Sequence, residues 1–234
     1  MTRALLDRGY AVIAPAMAAQ GPGGSWGHLW ETNLWDSAWA VRDDPPALSA
    51  WNKSSTDHPF LISLLEATRK GSLGPIDMGR LHAAGFSSGG YMASRLAFQY
   101  PGTFASIALV SASYFYCPTS ESGECDKPLA GLLGAHVSAQ CHAPALILHC
   151  EGDELVPRNS SEAYAATLAD SGVQTDRPEI SEKCGHEWPG VSARLIVDWF
   201  DGHTIPPAGG PGCAAAEPRT GGAPIAIRAD ARIG

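Results

Sequence analysis

Basic clusters and long apolar runs are both absent from this sequence. Of its 16 Lys and Arg residues only four are lysine, none form a run, and the formal net charge is −8. A nucleic-acid binder or a basic membrane-surface protein would show clustered Lys and Arg, so neither kind of partner is expected. No stretch approaches the roughly 20 apolar residues that cross a bilayer. CxxC spacings are absent as well, which argues against a zinc site, and we expect no metal.

What the sequence does contain favours a folded, extracellular protein. Hydrophobic residues make up 44% and charged residues 17% of the 234 residues, enough apolar sequence for a packed core. Six cysteines suit a secreted, disulfide-containing protein better than a reduced cytosolic one. Residues 1–20 loosely resemble a secretory signal, but Asp7 and Pro15 interrupt the pattern. We therefore expect no evident signal peptide here, but the end of a helix followed by a strand.

Short apolar runs alternate with helical patterns, which predicts βα units and a mostly parallel sheet with helices on both faces. The strands are predicted at 10–15, 80–86, 104–111, 143–150 and 178–183, and the helices at 28–41, 59–70, 88–100, 129–140, 159–171 and 191–200. From residue 202 the chain is rich in Pro, Gly and Ala without periodicity. We expect one α/β domain over 1–201 and a flexible tail over 202–234, the alternative being an ordered segment held by Cys213.

A candidate nucleophile lies in GFSSG, residues 85–89, which matches the G-x-S-x-G pattern. A serine in this pattern acts as a nucleophile when a sharp strand-to-helix turn lifts its hydroxyl clear of the backbone. GGSWG at 23–27 matches too, but Ser25 lies in a loop, whereas Ser87 stands between a predicted strand and an amphipathic helix. We predict that Ser87 is the nucleophile and that the backbone N–H of Ser88, at the helix start, is an oxyanion donor.

An elbow serine needs a carboxylate and a histidine later in the chain, in that order. The loop after the strand at 143–150 carries three carboxylates, Glu151, Asp153 and Glu154, any of which could cap the next helix instead. His186 follows Gly185 in a later loop, where its ring could reach Ser87. In such a site the histidine takes the serine proton and the carboxylate fixes the tautomer of the ring.

These motifs, with DHPF at 57–60 and IDMGRLHAAGFSSGGYMA at 76–93, resemble the secreted polyhydroxybutyrate depolymerase and feruloyl esterase group. That group consists of α/β-hydrolases akin to acetyl xylan esterases. HCEGDELVP at 149–157 looks like its aspartate loop and GHEWPG at 185–190 like its histidine loop. The resemblance covers about 4–201 and selects Asp153 as the carboxylate. It implies an α/β-hydrolase fold, secretion, no cofactor, and hydrolysis of plant-wall esters or polyesters, so the expected partner is a small-molecule or polymeric ester. The sequence itself does not specify the oligomeric state, and a monomer is assumed by default.

The sequence departs from the group in two places. The first strands and the loop that supplies the second oxyanion donor have no counterpart, so we expect an N-terminally truncated sheet of about five strands. Losing one such donor typically costs about a hundred- to a thousand-fold in rate. In addition, Cys150 follows His149 where the group usually has glycine.

Cysteines and tryptophans surround the predicted site. If the triad forms, Cys150 and Cys184 are neighbours, and we expect them to form a disulfide. Cys117 and Cys125 bracket the short segment PTSESGE and are expected to pair across it, leaving Cys141 with Cys213 or free. Trp26, Trp30 and Trp188 are candidate substrate contacts, and Trp188 is favoured because it stands beside the base. For Trp26 and Trp30, burial in the core is an equal alternative.

Two rival functions remain open. GGYM after an elbow serine also occurs in prolyl oligopeptidase-type serine peptidases, although HEWP at 186–189 fits them poorly. The other rival is a truncated pseudoenzyme that binds ligands without hydrolysing them.

Overall fold

A computed structural model describes residues 1–15, 30, 57–114, 139–180 and 183–205 of the chain. The helices of this part are α1 (Thr2–Asp7), α2 (Asp57–Arg69), α3 (Ser88–Gln99), α4 (Arg158–Asp170) and α5 (Ser192–Asp201). The strands are β1 (His82–Phe86), β2 (Ser106–Val110), β3 (Ala145–Leu148) and β4 (Thr175–Asp176). Short 3₁₀ turns lie at Met78–Arg80 and Ala139–Cys141.

The four strands form one parallel sheet in the order β1-β2-β3-β4. His82 is in register with Ser106 at the amino end of the sheet, and Phe86 with Val110 at its carboxyl end. Parallel neighbours need crossover connections, and α3 supplies the one from β1 to β2 and α4 the one from β3 to β4. This arrangement confirms the predicted parallel sheet and brings the ends of β1, β2 and β3 to one edge, where loops can assemble a site.

Both faces of the sheet are buried. Ile107 and Leu109 of β2 belong to a core shared with α3 and α4, and Ala108 and Val110 to a second core shared with α1 and α5. The alternation follows from the two-residue period of a strand, and strands covered on both faces are apolar throughout. The α/β class with helices on both faces is therefore confirmed.

The strand predicted at 10–15 was wrong. These residues have no regular secondary structure, and the backbone N–H of Tyr10 donates to the carbonyl of Leu5 in the turn after α1. A strand requires a neighbour that supplies ladder hydrogen bonds, and within the described residues this segment has none. Pro15, which lacks an N–H, closes the segment.

The strand predicted at 178–183 was also misplaced. The pairing with β3 occurs earlier, where Thr175 and Asp176 stand opposite Ala145 and Leu146. Pro178 cannot donate a ladder hydrogen bond, so the strand ends before it. Residues 178–180 and 183 are irregular, and 181–182 lie outside the described residues.

The helices predicted at 59–70, 88–100, 159–171 and 191–200 are confirmed within two residues at each end. The helix predicted at 28–41 lies outside the described residues except for Trp30, and the one at 129–140 except for its last two residues. The tail beyond residue 205 is likewise not described. Within the ranges that the structure covers, no helix is long and apolar enough to cross a membrane.

Candidate active site

Ser87 occupies the sharp turn between β1 and α3. Its backbone angles are φ 50° and ψ −121°, in the left-handed region that non-glycine residues rarely adopt. The turn is held by hydrogen bonds: the Ser87 N–H donates to the Val110 carbonyl over 2.8 Å, and the Ser87 carbonyl accepts from the N–H groups of Gly90 and Tyr91. Backbone strain of this kind costs roughly 1–3 kcal/mol and concentrates at functional sites.

Two glycines make the turn possible, and they are not the pair that the motif suggests. A Cβ added to Gly85 would lie 2.0 Å from the carbonyl carbon of Gly89, and one on Gly90 2.5 Å from the Cβ of Ala112. A Cβ on Gly89 itself would meet nothing within 4 Å. The tight approach of α3 to β1 and β2 therefore requires glycine at 85 and 90, while 89 has room for a side chain.

The structure brings Ser87, His186 and Asp153 together above the carboxyl end of the sheet. His186 Nε2 is 2.9 Å from Ser87 Oγ. The other ring nitrogen, Nδ1, is 2.9 Å from Asp153 Oδ2 and 3.1 Å from Oδ1. These distances allow the serine hydroxyl to donate to Nε2 while Nδ1–H donates to the carboxylate, the arrangement that nucleophilic catalysis needs.

Asp153 is the carboxylate of its loop that faces inward. Its side chain is 0% exposed, whereas Glu151 and Glu154 are exposed. Burial raises the pKa of the Asp153 carboxyl, but hydrogen bonds from the Val156 N–H, from His186 and from the Leu155 N–H outweigh burial and hold that pKa below its usual value. The alternative role of a helix cap is not observed, because Pro157 precedes α4 and no side chain caps the helix.

The loops that carry Asp153 and His186 are joined by a disulfide. Cys150 and Cys184 are bonded, with Cα atoms 5.3 Å apart, which confirms the predicted pairing. Next to the disulfide the Gly152 N–H donates to the Cys184 carbonyl over 3.1 Å. Cys141 is also disulfide-bonded, so the alternative that it is free was wrong. The pairing predictions for the other three cysteines fall outside the described residues.

Ser88 begins α3, so its N–H belongs to the helix N-terminus, where the first N–H groups have no partner within the helix. Its hydroxyl accepts a hydrogen bond of 2.9 Å from the backbone N–H of Trp30. Trp30 itself is 7% exposed and packs against Leu61 and Met92. Packing is therefore the observed role of Trp30, and its contact with substrate stays a prediction; Trp26 and Ser25 lie outside the described residues.

Trp188 lies beside the candidate base, as the sequence predicts. Its side chain is 38% exposed, and its ring stacks on Phe86 with centroids 5.6 Å apart. Phe86 in turn lies 4.8 Å from the ring of His186. The three rings form an aromatic shelf next to the serine, which we call the Phe86–Trp188 shelf.

Sequence reasoning missed two residues at the site. Phe86 carries a signal, because it directly precedes the serine and lies at the carboxyl end of a strand. His149 was recognised as the first residue of the aspartate loop but given no role at the site, yet its Nε2 is 3.2 Å from Asp153 Oδ2. The spacing of four residues between His149 and Asp153 was the available signal, but it becomes informative only once the loop turns back over the strand end.

Comparisons with known proteins agree with this geometry. The chain is 35% identical over 199 residues to a poly(3-hydroxyoctanoate) depolymerase from Pseudomonas fluorescens, an alignment that covers 85% of this chain and 61% of the depolymerase. The chain thus spans less than two thirds of that relative's length. No family model matches the sequence.

Among solved structures, the crystal structure of esterase PE8 aligns with a TM-score of 0.55 over 81% of this chain and 77% of its own, at 21% identity. Such a likeness concerns the fold. Together with the parallel sheet, the strained serine turn and the order of the three site residues, it leads to one identification: the chain has the α/β-hydrolase fold and is a sequence relative of the poly(3-hydroxyoctanoate) depolymerase.

Proposed function

We propose that this protein is a serine esterase that hydrolyses carboxylic esters through an acyl-enzyme. The proposal is carried by one observation, the chain of hydrogen bonds from Ser87 Oγ through both nitrogens of His186 to Asp153. The strained turn at Ser87 and the buried carboxylate support it, since both features cost stability and such costs concentrate at functional sites.

In the proposed reaction, Ser87 Oγ attacks the ester carbonyl carbon while His186 Nε2 takes the hydroxyl proton. The Ser88 N–H donates to the oxygen that becomes negative in the tetrahedral intermediate. When that intermediate collapses, the ester C–O bond breaks and the proton on Nε2 passes to the leaving alkoxide, which departs as the alcohol. Water then attacks the acyl-serine while His186 Nε2 takes one of its protons, which gives a second tetrahedral intermediate. When this intermediate collapses, the bond between the carbonyl carbon and Ser87 Oγ breaks, the proton on Nε2 returns to Oγ, and the carboxylic acid is released.

Asp153 has a supporting part in this scheme. Its low pKa keeps it ionised in neutral solution, so it can accept the Nδ1 proton and stabilise the imidazolium that forms during attack. A carboxylate held by two backbone N–H groups also keeps the ring of His186 in one orientation.

For the substrate we propose a polyester of hydroxyalkanoic acids, cleaved outside the cell. The name of the sequence relative supports this choice over plant-wall phenolic or acetyl esters. The exposed Trp188 and the Phe86–Trp188 shelf offer an apolar surface on which an alkyl chain could lie beside the serine.

The reaction class is tested by incubating the protein with p-nitrophenyl acetate and, separately, with an aminoacyl-nitroanilide. We expect release of p-nitrophenol by the wild type and none above background by Ser87→Ala. Cleavage of the anilide without cleavage of the ester would favour the peptidase alternative. Failure to cleave either would favour the pseudoenzyme.

The substrate class is tested with suspensions of poly(3-hydroxyoctanoate) and with a feruloylated sugar. We expect clearing of the polyester suspension, and slower clearing by Trp188→Ala because the shelf loses its exposed ring. The matched control is Trp199→Phe, a change on α5 next to His203 rather than at the serine. Release of ferulate without clearing of the polyester would contradict the substrate proposal.

A further inference from the structure

His149 is a buried histidine that directly follows β3 and contacts the acidic member of the site. Its side chain is 1% exposed. The ring nitrogen Nε2 is 3.0 Å from the Val156 carbonyl oxygen and 3.2 Å from Asp153 Oδ2. One nitrogen of His149 thus reaches both the carboxylate and the turn that follows it.

The tautomer of His149 follows from these partners. A carbonyl oxygen can only accept, so Nε2 must carry the proton and donate it to Val156. The same proton lies near Asp153 Oδ2, the oxygen that also accepts from His186 at 2.9 Å. Asp153 Oδ1 meanwhile accepts from the N–H groups of Leu155 and Val156. The carboxylate is therefore surrounded by donors, and His149 is one of two histidines among them.

The ring of His149 is uncharged in neutral solution. Burial lowers its pKa, and this effect, aided by the positive charge of Arg158 and by His186, outweighs the attraction of the Asp153 carboxylate. Tyr91 of α3 also feels the charge of Asp153, and burial raises its pKa, so it stays neutral as well. His149 consequently offers Asp153 a neutral N–H rather than a compensating cation.

We propose that His149 is a positioning residue, which holds Asp153 and the 153–156 turn through its Nε2–H and draws negative charge away from the carboxylate. The inference rests on the proposed esterase function of the same site. Loss of this N–H leaves Asp153 with more charge directed at His186 and lets the carboxylate pivot about Oδ1, which the N–H groups of Leu155 and Val156 still hold. More negative charge favours the protonated base, so activity at low pH is lost sooner. A rotated carboxylate orients the base less well, which lowers kcat rather than substrate binding.

The test compares two variants with one control. His149→Leu removes the donor, while His149→Gln retains an amide N–H near the place of Nε2. His142→Leu is the control, because His142 is also buried, precedes the same strand β3 and, among the residues that the structure describes, hydrogen-bonds only the adjacent Ala143 carbonyl. The measurement is the pH dependence of kcat and KM for p-nitrophenyl acetate, with thermal unfolding recorded for each protein.

For His149→Leu we expect kcat to fall about tenfold with little change in KM, and the acid limb of kcat/KM to move up by about half a pH unit. His149→Gln should restore kcat within about threefold and return the acid limb to its wild-type position. His142→Leu should lower the unfolding temperature without moving the limb. If the wild type is active and both His149 variants keep its acid limb of kcat/KM, the positioning role of His149 is overturned and the esterase function stands. If the wild type is inactive, the proposed function is overturned, and this inference with it.

A second measurement needs no variant and so stands even if His149→Leu does not fold. In wild-type protein labelled with ¹⁵N-histidine, NMR reports which nitrogen carries the proton. We expect His149 in the neutral Nε2–H form throughout the pH range of activity. An Nδ1–H tautomer, or a ring that becomes charged within that range, would overturn the proposal.

Discussion

The two ends of the parallel sheet each hold a serine–histidine pair at the same distance, and only one pair has the surroundings of a nucleophile. At the carboxyl end, His186 Nε2 is 2.9 Å from Ser87 Oγ. At the amino end, His82 Nδ1 is 2.9 Å from Ser106 Oγ. A short distance between hydroxyl and imidazole therefore does not distinguish a site from a structural contact.

The surroundings of the two pairs differ in three ways. Ser106 lies within a regular strand and is 0% exposed, whereas Ser87 stands on a strained turn. Burial lowers the pKa of His82 to about 4, and its ring stacks on Phe200. The nearby carboxylate, Asp201, is bound by arginines and a tyrosine instead of by the histidine ring.

This contrast teaches which features an active serine requires. Asp153 turns both oxygens toward donors that include the base, while Asp201 neutralises Arg8 and Arg80 at the surface. Reactivity depends on backbone strain that exposes the hydroxyl and on a carboxylate that orients the ring. The predictions below test the contrast from its largest consequence to its smallest.

Replacing each serine by alanine should give the largest difference in kcat between the two serine–histidine pairs. We expect Ser87→Ala to lower kcat for p-nitrophenyl acetate by about 10⁵-fold or more, because the nucleophile is lost. Ser106→Ala should change kcat by less than about threefold, since a buried hydroxyl between strand and ring takes no part in the reaction. Comparable losses in both variants would show that the two ends are not functionally distinct.

Replacing the two carboxylates should have the next largest effect. Asp153→Asn keeps the size of the side chain but removes the charge that orients His186, and we expect kcat to fall by about 10³- to 10⁴-fold. Asp201→Asn, at the amino end, should leave kcat within about twofold. Steady-state kinetics at pH 8 make the comparison, and an Asp153→Asn enzyme with wild-type kcat would contradict the role we assign to Asp153.

The disulfide at the carboxyl end of the sheet should stabilise the fold more than the ion pair at its amino end. Removing the disulfide by Cys150→Ser with Cys184→Ser should lower the free energy of unfolding by about 2–4 kcal/mol. At the amino end, Arg8→Gln breaks the partly exposed ion pair with Asp201 and should cost under about 1 kcal/mol. Urea denaturation without reductant measures both; the prediction fails if the doubly substituted protein is as stable as wild type.

Acid should weaken the fold through His82, a smaller effect. Burial, together with Arg80 and His203, lowers the folded-state pKa of His82 to about 4, and Asp201 opposes this only weakly. Below about pH 6.5, His82 binds a proton in the unfolded chain but stays neutral in the folded chain. The stability that this neutral histidine contributes is therefore fully present above pH 6.5 and is lost as the pH falls toward 4. Because His82 is partly exposed, we expect the resulting loss in the free energy of unfolding to be about 1–2 kcal/mol.

The test of that effect is His82→Phe, which keeps a ring against Phe200. We expect the variant to lose less free energy of unfolding than wild type when urea denaturation at pH 7 is compared with pH 5. His142, whose pKa burial also lowers to about 4, is present in both proteins and cancels in the difference. Equal losses in the two proteins would contradict the assignment to His82.

Much of the fold could be predicted because the central strands are apolar runs buried on both faces. The cores of β1, β2 and β3 fall within the predicted segments, and the helices between them follow from amphipathic spacing. The outer segments could not be placed in the same way. Whether residues 10–15 form a strand depends on a partner, and the position of β4 depends on the missing N–H of Pro178 rather than on hydrophobic alternation.

The site could be predicted in its members but not in its contacts. Ser87 is marked by the turn between strand and helix, and His186 by its loop, whereas Asp153 could not be separated from Glu151 and Glu154 without the family resemblance. That Asp153 points inward depends on the turn that Val156 closes. The approach of His149 depends on the same turn, which the spacing of four residues does not by itself specify. The catalytic roles of the three residues stay predictions.

Labelling with a fluorophosphonate tests the central claim most directly, because this reagent phosphonylates only a serine whose hydroxyl is activated and accessible. Wild type, Ser87→Ala and Ser106→Ala are each incubated with the probe, and the modified peptide is located by mass spectrometry. We predict a single adduct on Ser87 in wild type and in Ser106→Ala, and none in Ser87→Ala. An adduct on any other serine, or an unmodified wild-type protein, would contradict the account.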